Sequence, residues 1–175
     1  MPERVEDITF REIKARVKKA IQNLKESDLY LFEHNASERS IIYRFAMWLE
    51  VEFLEWCVDC EYNLSPPDNW ADIRARYADV EARRKEREAT KSSEDEIVSF
   101  YPDIVVHQRG KKENLLVIEV RKSSVFEEIQ FDITKLRTYR HDKNLEFKYA
   151  LLIRFQNPQD DHGSIIDNNL SRWIE

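Results

Sequence analysis

The stretch from Ser99 to Phe155 constrains the fold more than any other part of the chain. Two apolar runs, Ser99 to Gln108 and Asn114 to Arg121, flank a short turn around Gly110 and read as a β-hairpin. After Ser123-Ser124, which can cap a helix, Val125, Phe126, Ile129, Ile133, Leu136 and Tyr139 recur at helical spacing as far as His141. Phe147 to Phe155 is again apolar, centred on Tyr149-Ala150-Leu151-Leu152-Ile153, and reads as another strand. Strand, strand, helix, strand in this order requires the helix to cross the sheet, so the last two strands should be parallel with a right-handed crossover.

Upstream of this unit, Val5, Ile8, Ile13, Val17, Ala20, Ile21 and Leu24 mark an amphipathic helix from Val5 to Leu24. A second helix starts at Asn35-Ala36-Ser37-Glu38. It carries Ile41, Ile42, Phe45, Met47, Trp48, Leu49, Val51 and Phe53 on a face broad enough to predict burial. Trp56 to Tyr62 reads as a first strand, ended by Asn63 and Pro66-Pro67. Trp70, Ile73, Tyr77 and Val80 then indicate a helical insertion that runs into the charge-alternating EARRKERE, a solvated helix more than a binding element. After Phe155 the chain is polar, with a short last helix expected to end at Trp173-Ile174. One α/β domain with a mixed central sheet follows, divided into a helical extension (1–34), a core (35–155) with a helical insertion (64–97), and a tail (156–175).

Composition removes several functional classes. The 175 residues include only two glycines, Gly110 and Gly163, where average usage of about 7% gives roughly a dozen. Dinucleotide fingerprints and phosphate-cradling loops need several closely spaced glycines, so neither is present. With 42% hydrophobic and 35% charged residues, the chain has material for a core under a highly charged surface. The acidic, polar start and the lack of a run of about 20 apolar residues predict a cytoplasmic protein without a membrane span. Cys57 and Cys60 form a C-x-x-C, but in a strand two residues three apart point to opposite faces. Free, buried thiols are therefore expected rather than a zinc or redox pair.

Two carboxylates violate the hydrophobic pattern of the hairpin: Asp103 in YPDIVVH and Glu119 in LLVIEVRK. A turn at Gly110-Lys111-Lys112, with Arg109 opposite Glu113, sets His107 opposite Leu115, Val105 opposite Val117 and Asp103 opposite Glu119. Directly opposed side chains have Cβ atoms about 5 Å apart, where two carboxylates need a proton or a cation between them. Mg²⁺, commonly bound through one or two carboxylates with retained waters, meets that need. Strand alternation places Arg121 on the face of Glu119 and Lys122 on the other. His107 shares the face of Asp103 and is read as structural. Gln130 and Asp132, on the following helix, are read as solvent-facing or capping groups.

Pro102-Asp103 followed by Glu119-x-Arg121, on a hairpin followed by helix and strand, resembles the PD-(D/E)XK nuclease superfamily, the restriction-endonuclease-like fold. The resemblance covers 35–155 and implies an αβββαβ core, here with an extra N-terminal helix and a helical insertion. It further implies cleavage of DNA or RNA phosphodiesters using Mg²⁺, or Mn²⁺, held by Asp103 and Glu119. An acidic residue from the helix before the first strand often joins that site, and by position this is Glu38. Glu38 also stands three residues after Asn35, where a capping box would use it equally well. The sequence departs from the family pattern in placing Arg121 where the motif has lysine. Arginine stays protonated and serves as a fixed cation and donor, so the catalytic set becomes Asp103, Glu119, Arg121 and Glu38, with Lys122 as a neighbouring candidate.

The net charge of −6 confines any nucleic-acid contact to a local patch. Residues 135–154 supply one, with six basic against two acidic residues for a net +4. Lys135, Arg137 and Arg140 are expected to contact phosphates, with DNA favoured over RNA as the partner. A homodimer or a targeting partner is compatible with a chain that has no separate reading module. Two functional readings follow: a metal-dependent nuclease, or a nuclease-like domain that lost cleavage with the motif lysine and serves binding or assembly.

Overall fold

A computed structural model describes residues 8–62, 101–122, 126–155 and 171–174. The elements are α1 (Phe10–Ser27), α2 (Leu29–Glu33), α3 (Glu38–Glu52), β1 (Cys57–Cys60), β2 (Ile104–Gln108), β3 (Glu113–Arg121), α4 (Phe126–His141), β4 (Tyr149–Arg154) and β5 (Ser171–Ile174). The strands form one five-stranded mixed sheet in the order β1-β2-β3-β4-β5, with β3 and β4 parallel and every other pair antiparallel. The predicted parallel pairing across the helical crossover is present. The expected insertion at 64–97, residues 1–7 of the extension and 156–170 of the tail lie outside the described residues.

Strand alternation explains how the sheet is covered on both sides. Ile104, Val106, Leu116, Ile118 and Val120 pack with Leu151 and Ile153 against Ile13, Val17 and Leu24 of α1 and Ile41, Phe45 and Leu49 of α3. The intervening residues Val105, Val117, Ala150 and Leu152 pack against Ile133, Leu136 and Tyr139 of α4. Asp103, Glu119 and Arg121 share the parity of Val105 and Val117 and therefore belong to the α4 side. Helix α1 begins at Thr9, whose hydroxyl accepts from the Glu12 amide while its own amide donates to the Glu12 carboxylate at 2.8 Å, a complete capping box.

Four expectations are corrected. Val105 does oppose Val117 and Ile104 opposes Ile118, which sets Asp103 beside Glu119. Beyond Val106, however, Leu115 is bulged out of the ladder, so His107 pairs with Asn114 and Gln108 with Glu113. The turn is accordingly the four residues 109–112. Second, α3 is capped by Ser37, which accepts from the Ser40 amide. Glu38 is then the first helical residue and makes no capping box with Asn35. Third, the segment ending at Trp173-Ile174 is strand β5 rather than helix. Four residues are too short to nucleate a helix, whereas the open edge of β4 offers unpaired backbone groups. Fourth, α3 does not bury its whole apolar face, because Met47 and Val51 remain more than half exposed.

Gly110 has φ +75° at the hairpin turn, a left-handed conformation that a Cβ disfavours. Open space surrounds it, so Gly110→Ala should cost about 1 kcal/mol through backbone conformation alone, measured as a lower midpoint in urea with an unchanged m-value. Cys57 and Cys60 are free thiols but only half-buried, short of the burial expected, and desolvation raises the Cys60 thiol to about 11.

Candidate active site

The site forms where the end of β3 passes between the start of β2 and the helix α4. Asp103 sits one residue before β2, and its Oδ2 accepts the Val120 amide at 2.7 Å, which fastens its carboxylate to β3. Glu119 lies beside it and is 1% exposed. Burial of a carboxylate in an otherwise apolar strand demands a partner. That partner comes from α4: Lys135 Nζ lies 2.9 Å from Glu119 Oε1. The contact is an ion pair in the interior of the site. The Tyr139 hydroxyl, one turn further along α4, also bonds to the Glu119 carboxylate.

Arg121, two residues on and facing the same way, is taken up by Asp132. Its Nε and Nη2 donate to the two Asp132 oxygens, the latter at 2.8 Å, in a fork-on-fork pair. Asp132 is fully buried, contrary to the solvent-facing or capping role expected of it. Glu38 completes the cluster from the N-terminus of α3. Its Oε2 accepts the Lys122 amide at 2.8 Å, and its Oε1 lies 3.6 Å from Arg121 Nη1. The expected neighbourhood of Glu38, Asp103, Glu119 and Arg121 is thus brought together.

Three candidate residues do not take the functional places proposed for them, Lys122 lying away from Glu119 as strand alternation placed it. The Lys122 side chain does not join the carboxylates: its ammonium donates to Asn35 Oδ1 and Ala36 O, both at 2.6 Å, and ties the end of β3 to the turn before α3. Lys135, expected on a phosphate-contacting surface, is 5% exposed and belongs to the interior of the site. Of the other two expected phosphate contacts, Arg140 donates to Ile174 O at 2.7 Å and holds α4 to β5, whereas Arg137 is exposed. Arg137 lines a cleft of about 560 Å³ with Thr134, Thr138, His141 and Lys143. His107 stays apart, with Nε2 2.8 Å from Asp59 Oδ2 and Tyr62 against its ring edge.

Sequence reading missed Asp132, Tyr139 and the placement of Lys135. The signal for them was nevertheless present. Residues 132, 135 and 139 recur at three- and four-residue spacing among Ile133, Leu136 and Phe131, so two charged groups lie on the apolar stripe of α4. A charge on the buried face of a helix needs a partner on the sheet below, and Glu119 and Arg121 are the charges there.

Four carboxylates thus meet two cations. Burial raises the carboxyl groups of Glu38 and Asp103 above the ordinary range and that of Glu119 well above it; the nearby Lys135 ammonium offsets this only in part for Asp103 and Glu119. A raised folded-state carboxyl binds protons that the unfolded chain releases, so its stabilising contribution is full below about pH 4 and is lost as pH rises through the raised range. Stability of the protein relative to Glu119→Gln should therefore fall from pH 5 to pH 8 in chemical denaturation.

The donor set, hard carboxylate oxygens from four acidic residues against two cations, is of the kind a hard divalent cation takes. Among the described residues no three acidic, imidazole or thiol groups form a ready-made cage. An ion here would rest on Asp103 and Glu119 and complete its shell with water, as Mg²⁺ commonly does. Comparison with protein-family models, curated proteins and solved structures gives no match.

Proposed function

We propose that the protein is a divalent-metal-dependent phosphodiesterase acting on nucleic acid, of the PD-(D/E)XK type. One observation carries the reading: Asp103 and Glu119 stand side by side on adjacent strands, with the Lys135 ammonium 2.9 Å from Glu119. The element order α3-β1-β2-β3-α4-β4, which is αβββαβ, supports it. In this reading Lys135 supplies from the helix the cation that the motif places on the strand, and Arg121 is a strut. A lysine differs from an arginine here in presenting a compact point charge with three donors rather than a planar fork.

The roles follow from the contacts. Asp103 and Glu119 would hold Mg²⁺ or Mn²⁺, which when bound supplies an activated water and a Lewis acid for a phosphoryl oxygen. Lys135 balances the charge of Glu119 and places a donor beside the carboxylate pair. Tyr139 fixes the Glu119 carboxylate through its hydroxyl. The Arg121–Asp132 fork keeps the end of β3 in position, and Glu38 holds the Lys122 amide. Arg137 and Lys143, beside the α4 cleft, provide exposed positive charge for a phosphate backbone.

The near-complete burial of Glu119 and Lys135 favours a second reading, in which the network is structural and the domain binds without cutting. Isothermal titration with Mg²⁺ and Mn²⁺ separates the two. The nuclease reading expects saturable binding that is lost in Glu119→Gln and in Asp103→Asn. Equal heats for all three proteins would remove it.

A further inference from the structure

Helix α3 carries two apolar faces, and the sheet uses only one. Ile41, Ile42, Phe45, Ala46 and Leu49 are buried toward the core. Tyr43, Met47, Val51 and Leu54, at spacings of four, four and three residues along α3 and just past its end, are 45%, 53%, 55% and 84% exposed. A helix apolar on nearly all sides is normally covered on all sides, and a continuous exposed stripe marks a contact surface. Tyrosine and methionine are among the residues enriched where proteins meet.

Charge along the same helix identifies the partner. Arg44 lies in its N-terminal half and Glu50 near its C-terminus, whereas Arg39 and Glu55 are already paired within the chain with Glu61 and Arg16. When a second α3 is laid antiparallel with the two Met47 residues together, Tyr43 meets Val51, Arg44 meets Glu50, and Ser40 meets Leu54 just past the helix end. Every exposed apolar position then faces an apolar or small one, and the Arg44–Glu50 pair, repeated by the two-fold, joins opposite charges. This self-complementarity is what a two-fold interface requires. The Arg44 side chain already extends along the stripe, with Nη1 3.4 Å from Met47 Sδ and Nε anchored on Asp28, so its charge is held near the centre of the contact.

We propose that α3 is a self-association surface, on which a second copy of this chain docks antiparallel about a two-fold axis through Met47. The stripe is short compared with the roughly 1,200–2,000 Å² of a standard interface, so the dimer is weak and reversible. The surface is separate from the carboxylate cluster, and the proposal stands independently of the nuclease reading.

Sedimentation velocity across the micromolar range tests it. Wild-type protein should shift reversibly from monomer to dimer. Met47→Lys, which brings two ammonium groups together at the axis, should weaken association about tenfold or more while leaving the circular dichroism unchanged. Glu50→Arg, which sets arginine against Arg44, should weaken it too. Met47→Cys in a Cys57→Ser/Cys60→Ser background should form a disulfide-linked dimer under mild oxidation, and Tyr30→Cys in the same background should not. A wild-type protein that stays monomeric throughout, or a dimer indifferent to Met47→Lys and Glu50→Arg, would overturn the proposal and assign the stripe to another partner.

Discussion

Lys135→Arg is expected to keep the protein folded and to lower nucleic-acid cleavage about 100-fold or more, the scale on which a lost acid–base or charge-stabilising group is felt. Arginine preserves a positive charge opposite Glu119, so the ion pair survives at a modest packing cost. Its planar fork cannot stand where a point-like ammonium stood. Arg121→Lys provides the contrasting arm. The motif position would then hold the customary lysine, but Arg121 is engaged by two bonds to the buried Asp132, and a shorter, point-like ammonium cannot reproduce that planar fork. No gain in cleavage is therefore expected from Arg121→Lys, and a fall in stability is. If Arg121→Lys raised the rate while Lys135→Arg left it unchanged, the assignment of the two cations would be reversed.

The second large effect is on stability. Lys135→Met removes the ammonium from a Glu119 carboxylate that is 1% exposed, and breaking a buried pair from one side typically costs about 3–5 kcal/mol because the remaining charge is stranded. Part of that cost is reduced by protonation, since burial already favours the neutral form of Glu119. The loss should accordingly be smaller at pH 5 than at pH 8. Adding Glu119→Gln to Lys135→Met should recover a substantial share of the stability, because the stranded charge is then gone. Urea denaturation of the wild type, the two single variants and the double variant gives the coupling between the pair. Additive losses would show that the two side chains do not depend on each other.

Much of the fold was legible because it rests on repeating patterns. The parity of Ile104, Val105 and Val106 against Leu116, Val117 and Ile118 gave both faces of the hairpin, and the spacing from Ile129 to Tyr139 gave the crossover helix. Asp103 and Glu119 stood out as charges in apolar strands, and their pairing needed only the register around Val105 and Val117. The bulge at Leu115 left no comparable trace, since an extra residue in an apolar run keeps the run apolar. Strand β5 was missed because its conformation comes from the open edge of β4, a tertiary influence absent from four residues read alone. The role of Lys135 was obscured by its neighbours: among Arg137, Arg140 and Lys143 it reads as one more basic residue, and only its position on the apolar stripe distinguishes it. Lys122 faces away from Glu119 as strand alternation indicated; what the sequence did not show is that its ammonium binds Asn35 and the Ala36 carbonyl in the turn before α3.

The central claim, that Asp103, Glu119 and Lys135 form a metal-dependent phosphodiesterase, is tested most directly by incubating the purified protein with plasmid, single-stranded DNA and RNA in Mg²⁺ or Mn²⁺, with chelator controls. The account predicts cleavage of at least one substrate that requires the metal and is lost in Asp103→Ala. No cleavage of any substrate, or cleavage by Asp103→Ala equal to that of the wild type, would contradict it.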